Sequence, residues 1–392
     1  MPETVAVKPE LILWAIDRSQ LPPEDLARTF PRLDEWRTGE REPTLKQLEL
    51  FAKETMTPLG YLFLDSPPRE SLPIPDFRTM GDNPIGRPSP NLTETLHAMQ
   101  RRQAWMRDHL IEQGSEELAF VGSAKQTRNV VSLAARIREA LGLATDWAER
   151  CARWEGALRT LCDAAERLGV LVATSGVVGL NNHRPLDPQE FRGFVLCDTY
   201  APLVFANGAD SKSAQMFTLA HELAHLWLGQ DGLFNLIRMM PHADATERFC
   251  NQVAAEFLIP GHKLSERWEE ASATDRPFHT IARWYKVSPL VAARRALDLK
   301  LISKTQFFVF YENDQEDWRQ RKAEEKRKKR GGPSFYDVQD VRLGRRFAYA
   351  VVRAAREGRL LYRDAYQLTD IKGETFNRYA DRLIQRMKDE RR

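Results

Sequence analysis

Residues 217–229 read FTLAHELAHLWLG, and no other stretch of the chain narrows the fold so far. Nothing between Asp210 and Gly229 breaks a helix. Asp210 or Ser211 can cap its start, and Gly229 can end it. On a helix, residues four apart differ by about 40° of rotation, so His221 and His225 project from one face. Two neutral imidazoles at that spacing reach a single metal ion, and zinc is the usual occupant of such a pair. Glu222 stands next round the helix, near enough to a water at the ion to act as its general base. The competing reading is an amphipathic core helix whose histidines bond to backbone carbonyls.

A catalytic zinc takes a third protein ligand and keeps one position open. The HExxHxxGxxH pattern would put a histidine at 231 and a glycine at 228, but these positions are Asp231 and Leu228. The ligand is then expected from the next helix, TERFCNQVAAEFLI (246–259), which ends at Pro260. Glu247 and Glu256 both qualify by type. They are nine residues apart, about 180° round a helix, so only one can face the metal. Asp244 and His242, in the preceding loop, are weaker candidates.

The surrounding text predicts a mainly helical α+β protein. Short helices are expected over LILWAID, PPEDLARTF, LDEW and TLKQLELFAKETM within residues 1–65. A proline-rich link (66–77) follows, then a long amphipathic helix over 91–114 and helices over 130–142 and 154–169. Near residue 169 the composition turns β-branched and glycine-bounded. GVLVATSGVVG, FRGFVLCD and APLVFANG read as strands of a small sheet just before the histidine-bearing helix. Helical text resumes from 262 to about 300, with a strand expected at QFFVFY (306–311). The run QEDWRQRKAEEKRKKR (315–330) reads as a solvated helix or linker, because aromatics are scarce in a segment that would otherwise suit a polyanion. The tail from 334 is helical, and its pair-like segment RDAYQLTDIKGETFNRYADRL carries no assigned chemistry.

Bulk properties exclude other classes. A net charge of +3 is too slight to imply a polyanion partner. No segment nears the roughly 20 apolar residues of a membrane helix, and no secretory signal opens the chain. The four cysteines form no CxxC pair, which argues against a zinc ribbon or a disulfide framework and suits a reducing cytoplasm.

FTLAHELAHLWLG followed by ERFCNQVAAEFLIP resembles the ImmA/IrrE family of zinc metallopeptidases, and EFRGFVLCD and PLVFANGAD resemble its lead-in strands. The resemblance covers about residues 165–262. It implies a zincin-like domain that binds Zn2+ through His221, His225 and Glu247, the glutamate four residues before the asparagine, with Glu222 as the catalytic base. Members of the family clip helix-turn-helix repressors in stress responses and mobile elements. The resemblance therefore implies a repressor-like or toxin protein partner, encoded nearby.

Residues 1–65 are similar to an XRE-type helix-turn-helix, with the signature at Trp36, Gly39, Pro43, Thr44 and Ala52. In such modules the second helix of the pair enters the DNA major groove. Here the interval from Ala27 to Trp36 is several residues shorter and contains Pro31. Arg28, Arg32, Arg37 and Arg41 are the candidate phosphate or partner contacts. The shortened module followed by PIPDFRT is similar to a subgroup that fuses it to an ImmA/IrrE-like peptidase. The expected organisation is a helix-turn-helix-like bundle (1–65), a connector (66–145), a zincin-like domain with a small sheet and the HExxH helix (146–310), a charged linker (311–333) and C-terminal helices (334–392). Two functions compete: a zinc endopeptidase of a regulatory or toxin–antitoxin system, and a DNA-binding regulator or antitoxin whose zinc site is structural or vestigial.

Overall fold

The computed structural model describes residues 4–70, 72–75, 88–234, 244–325 and 334–389. They fall into two compact units, one of Met1–Pro73 with Pro84–His97 and the other of Ile74–Asn83 with Ala98–Arg392.

The first unit contains α1 (Pro9–Ser19), α2 (Pro23–Thr29), α3 (Leu33–Thr38), α4 (Leu45–Glu54) and a 3₁₀ turn at Leu59–Phe63. Proline at the start of α1 and α2 gives up an N–H that has no helical partner there. Thr44 and Gln47 close a reciprocal capping box on α4. The core gathers Leu11, Trp14, Leu26, Leu33 and Leu48 round the mutually packed rings of Phe30, Trp36 and Phe51. This cluster accounts for the Trp and Phe spacing in the sequence: the aromatics face inward, while Arg28, Arg32, Arg37 and Arg41 stay exposed.

Helix α5 (Pro90–Glu112) contributes its first residues to this unit and the rest to the second. The second unit continues through α6 (Val130–Ala140) and α7 (Trp154–Leu168) into β1 (Leu171–Ser175), β2 (Val177–Val178), β3 (Asn181–Pro185), β4 (Gly193–Leu196) and β5 (Leu203–Asn207). Next come α8 (Lys212–Leu228), β6 (Gly232–Phe234) and α9 (Ala245–Leu258). The remaining helices are α10 (Gly261–Glu266), α11 (Trp268–Ser272), α12 (Pro277–Tyr285), α13 (Pro289–Asp298), α14 (Lys304–Glu325), α15 (Phe335–Leu343), α16 (Arg345–Arg356), α17 (Tyr362–Thr369) and α18 (Gly373–Asp389). The mainly helical α+β class read from the sequence is the class observed.

The sheet has strand order β1-β5-β4-β6; β1 and β5 are parallel, whereas β4 runs antiparallel to both β5 and β6. β2 and β3 form a separate antiparallel pair. Helix α8 lies against β4 and β5, and every residue from Gln215 to Leu228 is buried. A helix buried all round belongs at the centre of a domain, and α8 is enclosed by the sheet, α7 and α9. Ser211 caps its start by accepting from Ala214 N, and Gly229, at φ 66°, ends it in the left-handed conformation that glycine adopts at no steric cost.

The strand expected at 306–311 is instead the first part of α14. Ser303 and Gln306 form a capping box, with Gln306 N donating to Ser303 Oγ (3.2 Å) and Ser303 N donating to Gln306 Oε1 (2.8 Å). Phe307 and Phe310 then pack on one face, Phe310 against Phe278 at 4.6 Å between centroids, while Phe308 and Val309 point to solvent. The aromatic run thus has helical rather than alternating burial. The charge run at 315–330 continues α14 as far as Glu325, and its remainder lies outside the described residues.

The C-terminal helices pack on the free side of β1 through α15. Gly344 sits at the closest approach: a Cβ there would stand 2.5 Å from Val172 O and 2.9 Å from Glu166 Oε1. Glu166 accepts from Arg346 N at the start of α16 (3.3 Å). Arg102 of α5 ties the far end, donating to Leu368 O (2.9 Å) and pairing with Asp370 (3.2 Å).

Candidate metal centre

Helix α8 presents His221 and His225 to α9, where Glu247 sits in the first turn. Asp244 caps α9 by accepting from Thr246 N (2.8 Å) and Glu247 N (3.0 Å), which holds the backbone of Glu247 in place. His221 Nε2 lies 3.2 Å from Glu247 Oε2, His225 Nε2 lies 3.0 Å from Glu247 Oε1, and the two Nε2 atoms are 3.0 Å apart. All three side chains are buried.

These separations suit a bound ion. Ligand bonds of about 2.0–2.1 Å at tetrahedral angles put donor atoms about 3.3 Å apart. The two imidazole nitrogens stand close to that distance from each other, each lies as close to one oxygen of Glu247, and one ligand atom from each residue fits within 4.8 Å of the others. Without an ion, two imidazole nitrogens would be packed against each other and against a carboxylate in a dry interior, an arrangement a cation relieves. The two-nitrogen, one-oxygen donor set is one zinc accepts, and Asp and Glu oxygens bind at similar length.

Asn251, one turn beyond Glu247, places Oδ1 3.1 Å from His221 Nδ1. With Nδ1 donating to that carbonyl, the lone pair of His221 is on Nε2, facing His225 and Glu247. The asparagine is part of the E-R-F-C-N stretch, but the sequence marked it as a family landmark, not as a functional group. The signal was its spacing: four residues after Glu247, on the same helix face.

Glu222 is fully buried, and among the described residues neither carboxylate oxygen has a hydrogen-bond partner. Burial, and then the Glu247 carboxylate, push its pKa well above the ordinary carboxylate value. Glu247 moves the other way. Burial alone would raise it, but His221 and His225 hold it well below the usual range. Two neighbouring carboxyls with pKa values driven apart is the pattern of a ligand beside a proton carrier. Backbone room for Glu222 comes from Gly193 of β4, where a Cβ would lie 2.4 Å from Thr218 Cγ2, 2.7 Å from Phe205 O and 3.3 Å from Glu222 Oε1.

The other candidates are placed elsewhere. Glu256 forms a buried ion pair with Arg295 and accepts from Gly261 N (3.3 Å), while Arg138 donates to the Glu256 and Phe257 carbonyls. It is a structural residue on the opposite side of α9. Asp244 is the helix cap. Asp231 accepts from Cys197 N (2.5 Å), and Leu228 is core. His242 lies outside the described residues. All four cysteines are free thiols; burial pushes those of Cys197 and Cys250 up and keeps them protonated.

In the N-terminal unit, Arg28 pairs with Asp25 (3.2 Å), Arg37 with Asp34 (3.0 Å) and Arg41 with Glu35 (3.5 Å), all on the surface. Arg32 is exposed immediately before α3. The structure does not bring these arginines into one basic patch free of acids.

An antiparallel-edged sheet over a buried helix that offers two histidines, met by a glutamate from the next helix, makes a zincin-like candidate metal centre. Residues 165–297 match the family model described as an IrrE N-terminal-like domain, a peptidase family. Residues 343–382, in the C-terminal helices, match a domain of unknown function. Neither match reaches residues 1–65. No curated protein matches the chain. Among the described residues, no helix is long and apolar enough to cross a membrane.

Proposed function

We propose that the chain is a zinc-dependent endopeptidase of a regulatory system, cutting peptide bonds in a repressor-like or toxin protein partner in the cytoplasm. The observation that carries this reading is the buried, partnerless carboxylate of Glu222 beside three converging donors. A structural site has no use for such a group, because burying an unsatisfied carboxyl costs several kcal/mol on a solvent-transfer scale, roughly 1–3 in proteins. His221, His225 and Glu247 would hold the ion, and Asn251 orients His221. When bound, zinc supplies Lewis-acid polarisation of the scissile carbonyl and acidifies water. Glu222 takes the proton from the attacking water and passes it to the leaving amine as the C–N bond breaks. Its dry surroundings favour a group that both accepts and releases a proton.

The regulator reading rests on the N-terminal module. Residues 20–45 carry six acids (Glu24, Asp25, Asp34, Glu35, Glu40, Glu42) against four arginines. Two of those acids open α3, the helix that would enter a DNA groove, where phosphate would meet like charge. These features favour a protein-contact role for the module. The deciding experiment is expression of the chain beside the product of the neighbouring gene. A cleavage band is expected with wild type and absent with Glu222→Gln at equal zinc content. Identical outcomes for the two proteins would end the catalytic reading.

A further inference from the structure

The matched family segment begins at residue 165, yet both helices that carry the candidate ligands are gripped by residues before it. The last carbonyls of a helix have no partner within it, and buried ones find partners elsewhere. At the end of α8, just after His225, the Leu226 carbonyl accepts from Gly122 N (2.9 Å) and the Trp227 carbonyl from Ala124 N (2.8 Å). Phe120 lies against the Trp227 ring at 4.5 Å between centroids. At the end of α9, Arg138 of α6 donates to the Glu256 carbonyl (2.9 Å) and the Phe257 carbonyl (3.1 Å). Arg138 is itself buried, and Leu133, Ala134 and Ile137 of the same helix join the core that holds α8 and α9. One continuous stretch, residues 120–138, thus holds the C-terminal ends of both ligand-bearing helices.

The hold on α8 depends on two glycines. Gly122 (φ 70°) and Gly229 (φ 66°) are both left-handed and pressed together, so that a Cβ on Gly229 would stand 2.9 Å from Gly122 Cα. Real side chains do not make such a contact, and the loop comes near enough to donate because position 229 has none. Ligand geometry gains from this closeness. Metal–ligand distances are kept within about 0.2 Å, and His225 is the residue next to a gripped carbonyl. Helix α9 is fixed at both ends, by the Asp244 cap beside Glu247 and by Arg138 at its finish.

We propose that residues 120–138 are a brace belonging to the metal centre: they set the separation of α8 and α9, with Gly229 and Arg138 as positioning residues for His225 and Glu247. The stretch expected from the sequence to be a connector is on this reading part of the site. The proposal rests on the metal reading and needs no peptide hydrolysis for its test.

Chelator competition on the full-length protein measures zinc affinity, and the visible spectrum of the cobalt-substituted protein reports ligand geometry. Gly229→Asn is the first variant, because asparagine tolerates the left-handed conformation while its Cβ meets Gly122. Gly142→Asn is its control, since Gly142 is also left-handed (φ 65°) and a Cβ there meets no described atom within 4 Å. Arg138→Met removes the grip on α9. Residues that orient ligands from outside alter metal affinity 10–100-fold, so Gly229→Asn and Arg138→Met are each expected to weaken zinc binding about tenfold and to shift the cobalt bands. Gly142→Asn should leave both readouts unchanged. Phe376→Leu, a core change in the C-terminal helices, should lower stability with zinc affinity and cobalt spectrum intact. If circular dichroism shows that Gly229→Asn does not fold, Arg138→Met against Phe376→Leu carries the test. Wild-type affinity and spectra in Gly229→Asn and Arg138→Met, or an equal loss in Phe376→Leu, overturn the brace and leave the metal reading standing. A wild-type chain that takes up no zinc overturns the metal reading, and the brace with it.

Discussion

His221 Nδ1 stands 3.1 Å from Asn251 Oδ1, so the orientation of one candidate metal ligand is set by a residue on the neighbouring helix. Partners of this kind typically alter metal affinity 10–100-fold. Asn251→Ala is expected to weaken zinc binding by roughly that range while the fold is kept, and Asn251→Asp, which preserves an acceptor, to restore most of it. Competition against a chromogenic chelator measures both. Unchanged affinity in the alanine variant would show that the contact orients nothing.

The two glutamates of α9 should separate cleanly. Glu247→Ala is expected to lose bound zinc, as should His221→Ala and His225→Ala. Glu256→Ala should keep about one zinc per chain but lower stability by about 3–5 kcal/mol, because it strands Arg295 in the interior. Metal analysis beside urea unfolding distinguishes them, and zinc loss on changing Glu256 would reverse the assignment.

Gly193 allows β4 to lie against Thr218 and Glu222. With 2.4 Å and 2.7 Å contacts awaiting a Cβ, one of them to backbone, Gly193→Ala should destabilise by roughly 1–3 kcal/mol. Thr218→Ala should recover only part of this, since Phe205 O stays in place. Full recovery would show that the backbone contact is soft.

Glu166 should make stability fall with rising pH. Burial, offset in part by the Arg346 N–H it accepts, raises its pKa from 4.5 to about 7. A group whose folded pKa is raised contributes stability below its unfolded pKa and loses it as pH climbs through the folded value. The window is therefore about pH 4.5 to 7, and the size is at most about 3 kcal/mol for this half-buried side chain. Glu166→Gln keeps an acceptor for Arg346 without the charge. Denaturation at pH 5 and pH 8 should show a smaller difference in that variant, and an unchanged slope would clear Glu166 of the effect.

The helical and strand texture, the cap at Ser211, the stop at Gly229 and the pairing of His221 with His225 were all legible in the chain, because each depends on residues within one or two turns. The misread segment at 306–311 shows the limit of that legibility. Its apolar run suited either period, and the local capping box at Ser303 and Gln306 together with the packing of Phe310 on Phe278 settled it as helix.

The choice between Glu247 and Glu256 was of another kind. Both are glutamates on one helix, and periodicity said only that they face opposite ways. Residues alone established two histidines on one face, a glutamate beside them and a second acidic helix to follow. The family resemblance pointed to Glu247; tertiary packing is what brings that acid to the histidines, gives Glu256 to Arg295, sets Asn251 against His221 and seats Pro75 on Leu233. Those are contacts across tens to hundreds of residues, fixed by how buried surfaces fit together, and no local pattern encodes them.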